Sequence, residues 1–452
     1  MKLLTTMVLA GMTLAQVNAA TVAVIDSGTD MLHEMIKGNT WTNTAEIPNN
    51  NRDEDNNGYQ DDYYGWNFAE QNGAVIDYKY VGTFSPDPKK FFEIQGKIFQ
   101  GTATSEDIAW MRAKQSDQNF RKEMQIFGNF VHGTHVAGIT IEDSNTQAMA
   151  VKLLPTEVKP FVQESLAILE HFANNKKEGI GNAQMAILKM LLGQLAVQQM
   201  TMLTEIATYV ASHGMDVANG SFGTGYAQAL MIVSAVAKKA TKEQKRELAL
   251  HFINSLTEAG KEMMASAPKT LFVFAAGNDG SNNDEFPTSP ANIQAANSIS
   301  VAASYGRSKI ATFSNFGMTV DVAAPGVLIN SAIPGSDYLR VSGTSQAAPY
   351  VANVAAQIKD INPNLTPSEI KQIIMGTVDV KAWLRSKVKT SGIVNLERAK
   401  VAAQATAQNV AINTAIAEAV LQVADVVDNG ELKSAGSDYE GYVMPMPSGF
   451  AL

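Results

Sequence analysis

Thr21-Val22-Ala23-Val24-Ile25-Asp26-Ser27-Gly28-Thr29-Asp30 is the stretch that decides the fold class. A continuous apolar run closing in a polar turn reads as a strand buried on both faces, and such strands belong to parallel sheets. The pattern recurs. Thr270-Leu271-Phe272-Val273-Phe274-Ala275-Ala276-Gly277-Asn278 is again an apolar run that delivers a polar side chain through small residues. Met149 to Leu154, Ser298 to Ala303 and Val320 to Pro325 read as further strands, and Asp216 to Gly223 as a strand running into a glycine-containing edge. Residues 160–213 carry helical periodicity, with Ala186, Ile187, Met190, Leu191 and Leu195 on a broad apolar face, and residues from about 227 to 265 read as a charged amphipathic helical segment. This alternation predicts a three-layer α/β/α fold with a mostly parallel central sheet. Asp26 then stands at the carboxyl end of the first strand, where open α/β sheets gather their chemistry. Asp-Ser-Gly alone also makes an ordinary turn.

Ahead of that strand, Lys2, the apolar run Leu3 to Leu14 and the small residues Val17-Asn18-Ala19 read as a secretory signal peptide cleaved after about Ala19. The expected location is the periplasm or the exterior of the cell. No later stretch reaches eighteen uninterrupted apolar residues, so no membrane span is expected. The formal net charge of -9, without a dense basic run, argues against nucleic-acid binding. The absence of cysteine removes disulfides and thiolate chemistry. A monomer is expected.

Toward the C-terminus, Thr366-Pro367-Ser368-Glu369-Ile370 reads as a capped helix start with proline at the first helical position. Ala-rich residues 396–427 read as one helix stopped by Asn429-Gly430, followed by a loosely docked tail. The organisation is thus a signal peptide over 1–19, one large domain over 20–403 and a helical extension over 404–452. Residues 70–128 have no clean period and yield no assignment.

Two motifs leave alternatives open. Asp53-Glu54-Asp55-Asn56-Asn57-Gly58-Tyr59-Gln60-Asp61-Asp62 has the alternating oxygen side chains and central glycine of a calcium loop. Its candidate ligands are Asp53, Asp55, Asn57, the Tyr59 carbonyl and Asp61; a hydrated turn is the alternative. Tyr64 stands where a bidentate Glu is expected. His132-Gly133-Thr134-His135 places two of the chain's six histidines three apart. They read either as metal ligands or as one catalytic and one structural histidine at a helix start.

Ser342-Gly343-Thr344-Ser345-Gln346-Ala347-Ala348-Pro349 sets a serine at the opening of a small-residue helix. Unpaired N–H groups and the dipole of a helix N-terminus favour negative charge there, which suits an attacking serine as well as a plain helix cap. Asn278 reads either as a turn cap or as an amide donor for an oxyanion. An acid, a base and a nucleophile in the order Asp26, His132, Ser345 form a triad order known from one of several unrelated folds. With Ala275-Ala276-Gly277-Asn278, Phe313-Ser314-Asn315-Phe316-Gly317 and Gly392-Ile393-Val394-Asn395, these stretches make the chain resemble the subtilisin-like serine peptidases, from about residue 21 to 403.

The resemblance implies a serine endopeptidase acting on proteins or peptides. It implies Ser345 as nucleophile, His132 as general base and then acid, Asp26 as the group orienting the imidazole, and Asn278 with the Ser345 N–H as the oxyanion hole. It further implies that Ser221-Phe222-Gly223 pairs with an extended substrate. Ala275-Ala276-Gly277 would then wall a pocket for an apolar side chain before the cut. Gln346 departs from the family's usual Met, and Tyr350 from its frequent His. No cofactor is expected for the chemistry, and calcium only as a structural ion. With the first strand directly after the signal, folding is expected to rest on the domain, on calcium or on the extension rather than on a propeptide. Competing readings are a catalytically silent binding protein of the same fold and a serine esterase; no Gly-x-Ser-x-Gly elbow surrounds Ser345.

Overall fold

The computed structural model describes residues 19–158 and 179–427. The proposed signal peptide, residues 159–178 of the long helical segment and the tail beyond 427 lie outside the described residues.

The strands are β1 (Thr21–Asp26), β2 (Gly65–Asn67), β3 (Gln147–Lys152), β4 (Val217–Gly220), β5 (Thr224–Gly225), β6 (Leu271–Ala275), β7 (Thr288–Ser289), β8 (Ser298–Tyr305), β9 (Lys309–Ile310), β10 (Val322–Pro325), β11 (Ile329–Ile333), β12 (Asp337–Val341), β13 (Asp379–Val380) and β14 (Gly392–Ile393). The central sheet runs β13-β14-β10-β8-β6-β4-β1-β3-β2, with β9 on β8. Only the β13–β14 and β8–β9 pairs in it are antiparallel. The buried apolar runs sit in the middle of this order, because a strand covered on both faces needs a neighbour on each edge as well.

The described helices are α1 (Asp87–Phe99), α2 (Ser105–Ser116), α3 (Gln118–Ile141), α4 (Asn182–Ser212), α5 (Tyr226–Val236), α6 (Lys242–Ser266), α7 (Thr344–Ile361), α8 (Pro367–Gly376), α9 (Leu396–Ala407) and α10 (Ile412–Gln422). Strand alternation divides them between two layers. Ala23 and Ile25 of β1 with Phe272 and Phe274 of β6 face α4, α5 and α6. Leu271, Val273 and Ala275 of β6 face α7, α8 and α9 on the other side. Val24 meets Val136, Ala137 and Ile141 of α3. No described helix is long and apolar enough to cross a membrane.

Several boundaries differ from expectation. The histidines do not open a helix: α3 is capped by Asp117, whose carboxylate accepts the Asn119 N–H at 2.9 Å, and His132 and His135 lie in its interior. The charged segment after β5 is two helices, because Thr241 and Gln244 form a capping box that starts α6 afresh. The Ala-rich C-terminal segment is also two helices. Asn409 adopts a φ of 65° and the Val410 N–H returns to the Ala405 carbonyl, a left-handed stop that residue-type periodicity does not reveal. The Thr366 cap with Pro367 at the first turn is as expected, its carboxylate partner being Glu369. Residues 70–128 fold as α1, α2 and the first half of α3 around Phe91, Phe92, Phe120, Phe127 and Phe130.

Candidate active site

Asp26 ends β1 and is wholly buried. Its Oδ1 accepts the Ser27 N–H at 2.7 Å and lies 2.6 Å from His132 Nδ1, whereas Oδ2 has no partner among the described residues. That bond brings together residues 106 positions apart. It depends on the close approach of α3 to the loop after β1: a Cβ on Gly133 would sit 2.2 Å from the Gly28 carbonyl oxygen. With Nδ1–H donated to a carboxylate, imidazole presents its Nε2 lone pair as a base.

His135 does something else. Its Nε2 donates toward the carbonyls of Leu339 (3.0 Å) and Ile329 (3.2 Å), which join α3 to the β11–β12 hairpin. Burial lowers its pKa to about 4, so it is neutral, and it shares no ligand position with His132. Of the two readings of the motif, the geometry has one histidine on a carboxylate and one in the frame.

Ser345 is the second residue of α7 and is buried. Pro349 stands four residues further and has no N–H, so the Ser345 carbonyl lacks its helical partner. Ser221 takes that place: its Oγ donates to the Ser345 carbonyl at 3.0 Å, and Ser345 Oγ donates back to the Ser221 carbonyl at 3.2 Å. This reciprocal pair fixes the start of α7 against the end of β4. Midway along, α7 is tied to the C-terminal end of α3 by Asn353, whose Nδ2 donates to the carbonyls of Thr140 (3.0 Å) and Glu142 (2.9 Å).

Asn278 follows β6. Its Oδ1 accepts from the Thr344 N–H (2.9 Å) and Oγ1 (2.8 Å), which fixes the amide plane. The opposite end, Nδ2, borders the open space over Gly343: the point a Gly343 Cβ would occupy is 3.4 Å from Asn278 Nδ2 and 3.6 Å from Ser345 N. Two nitrogen donors therefore border the space over Gly343 at a helix N-terminus, where an anion is favoured, and Gln346 Oε1 lies 2.7 Å from the same point. Thr344 was quoted in the serine motif without a role; a hydroxyl one residue before a nucleophile is the signal that could have found it.

Phe222 and Gly223 continue from Ser221, and Gly223 and Phe222 border an apolar pocket with Leu153, Leu154, Met200 and Leu203. Ala275, Ala276 and Gly277 are buried. Gly277 has a φ of 116°, and a Cβ there would lie 2.3 Å from Asn315 Nδ2, so no other residue fits. Asp279 was not foreseen. Its Oδ2 would be 2.6 Å from a Cβ on Gly225, two residues beyond Gly223, and burial raises its pKa.

The loop over 53–61 divides the expected calcium ligands. Asp53 and Asp55 gather with Glu46, their carboxylate oxygens all within 4.8 Å of one another, and Asp55 also gathers with Asp62 and His213. Asn57 Oδ1 accepts the Tyr59 N–H at 2.7 Å. Asp61 instead caps another turn, accepting from the Asn50 and Asn51 N–H groups, each at 2.9 Å. Sequence spacing could not find Glu46, because it lies outside the motif.

The chain is similar to known proteins. The chain is 33% identical over 191 residues to alkaline elastase YaB of Bacillus sp. (strain YaB), covering 42% of each chain. It is 28% identical over 268 residues to an alkaline protease of Alkalihalobacillus alcalophilus, covering 59% of this chain and 54% of that one. The chain thus spans about half the length of these relatives. A crystal structure of a cold adapted subtilisin-like serine proteinase aligns with a TM-score of 0.44 at 19% identity, covering 83% of this chain and 86% of that one. The sequence pattern of the subtilase family matches residues 18–409, and the chain belongs to that family.

Proposed function

We propose that this chain is a secreted serine endopeptidase that cleaves peptide bonds through an acyl-enzyme. The observation that carries the reading is the 2.6 Å contact of His132 Nδ1 with buried Asp26, combined with Ser345 at a helix N-terminus beside the Asn278 amide. In the reaction the Ser345 hydroxyl leaves the Ser221 carbonyl, gives its proton to His132 Nε2 and attacks the scissile carbonyl carbon. The carbonyl oxygen becomes an anion held by Asn278 Nδ2 and Ser345 N. His132 then protonates the leaving amine, and water, deprotonated by the same imidazole, releases the acyl group. Asp26 keeps Nδ1 protonated throughout and stabilises the imidazolium. Digestion of casein together with covalent labelling by a fluorophosphonate tests this reading; a well-folded chain that does neither overturns it.

Small buried Ala275, Ala276 and Gly277 leading into Asn278, and the apolar pocket beside Gly223, support a preference for apolar side chains in an extended substrate. Asp279 adds a penalty for negative charge. In a series of chromogenic peptides, Phe or Leu before the cut is expected to exceed Glu in kcat/KM by roughly 100-fold, and Asp279→Asn to recover about tenfold for Glu only. An unchanged ratio in the variant would remove Asp279 from the pocket.

Glu46, Asp53 and Asp55 present only carboxylate oxygens, the donor set a hard cation such as calcium takes. We assign these residues to a structural calcium that has no part in the chemistry. Chelation is expected to lower Tm by about 5 °C or more, with recovery on adding calcium but not sodium; an unchanged Tm leaves a turn held by its own hydrogen bonds.

A further inference from the structure

Gln346 follows the nucleophile directly and is 2% exposed. Among the described residues its Nε2 has no hydrogen-bond partner. A buried amide donor without an acceptor is costly to keep, and functional sites are where such groups persist. Its position gives the reason. The point a Gly343 Cβ would occupy is 2.7 Å from Gln346 Oε1, and this is the same point that Asn278 Nδ2 and Ser345 N border. Three groups therefore face one small space that Gly343 leaves open.

Without substrate, the amide oxygen of Gln346 faces the two nitrogen donors. An oxyanion in that space repels this oxygen. The last side-chain torsion of glutamine is broad and roughly two-fold, so a half-turn exchanges oxygen for nitrogen, and Nε2 gives up no bond in turning. We propose that Gln346 supplies a third N–H to the scissile carbonyl oxygen as it becomes an anion, beside Asn278 Nδ2 and Ser345 N. The inference rests on the peptidase reading above. It makes the residue after the nucleophile a catalytic group here, where a methionine would only pack.

The test compares Gln346→Met, which keeps the length and removes both amide atoms, with the unaltered chain. Its readouts are kcat and KM on a chromogenic peptide, and inhibition by a peptide aldehyde and by the matching peptide alcohol. The aldehyde forms an oxyanion on the serine; the alcohol fills the same pockets without one. Expected for Gln346→Met is a loss of about tenfold in kcat with KM unchanged, an equal loss of aldehyde affinity, and no change for the alcohol. Gln346→Glu has the same shape but offers only acceptors, and is expected to lose about 100-fold in kcat; it carries the comparison should the methionine variant not fold. Full kcat and aldehyde affinity in an active Gln346→Met chain overturn this inference alone. Equal weakening of aldehyde and alcohol assigns Gln346 to pocket shape and also overturns it. A folded, unaltered chain that no fluorophosphonate labels overturns the peptidase reading and this one together.

Discussion

Ser345→Ala is expected to lower kcat on a peptide substrate by about 10⁵-fold or more and to abolish fluorophosphonate labelling, with little change in stability. The loss is large because the neighbouring hydroxyl at the start of α7, that of Thr344, is committed to Asn278 Oδ1, and without an acyl-enzyme the reaction falls back on water near a bordered oxyanion space. That residual catalysis is why activity should not reach the uncatalysed rate. Stability changes little because the hydroxyl makes one recorded bond, to the Ser221 carbonyl, worth about 1 kcal/mol. The reverse bond, Ser221 Oγ to the Ser345 carbonyl, survives the substitution. Casein digestion and labelling of the two chains at equal Tm is the measurement. Digestion that persists in the variant would assign the activity to another residue or to a contaminant.

Asp26→Asn is expected to cost about 10⁴-fold in kcat while leaving Ser345 and the oxyanion space in place. The physical reason is tautomer choice. Asp26 Oδ1 accepts both the Ser27 N–H and the Nδ1–H of His132, so the carboxylate side facing the ring is already committed to accepting. An asparagine that turns its NH2 toward the ring donates to Nδ1, moves the ring proton to Nε2 and removes the base. One that turns its oxygen there keeps the tautomer but places the NH2 where Oδ2 now has no partner, in a wholly buried site. Either arrangement also removes the charge that stabilises imidazolium. Proton NMR of the histidine ring, alongside kcat, distinguishes the two arrangements. A variant of near-normal kcat would mean that Asp26 only fills space.

Much of this was readable beforehand, and the reason differs from element to element. β1 and β6 were legible because burial on both faces demands an uninterrupted apolar run, a property of five or six adjacent residues. The α8 start was legible because a capping box and an N-terminal proline act within one turn. The breaks at Thr241 and Asn409 were not. Each is a connection of a few residues, 237–241 and 408–411, whose side chains do not mark a stop in the apolar period. In the α1–α2 region α1 does bury one face, with Phe91, Phe92, Gln95, Ile98 and Phe99, a period missed beside α2, which buries only Met111 and so offers no apolar face to read.

The site divides the same way. Residue types at strand ends and in short motifs already named Asp26, His132, Asn278 and Ser345 as candidates, since local chemistry and chain order need no coordinates. Sequence alone could not tell which histidine meets a carboxylate, because His132 and His135 differ only in what approaches them from β1 and from the β11–β12 hairpin. Nor could it show that Pro349 frees a carbonyl for Ser221, that Thr344 fixes the Asn278 amide, that Glu46 rather than Asp61 joins Asp53 and Asp55, or that Gln346 keeps an unpartnered donor beside Gly343. The Ser221–Ser345 and Asn278–Thr344 contacts join residues 124 and 66 positions apart, and the groupings at Glu46 and at Gln346 depend on how the chain turns around them. Propensity and periodicity act over a few neighbours, whereas such contacts exist only once the sheet order has set the strand ends side by side.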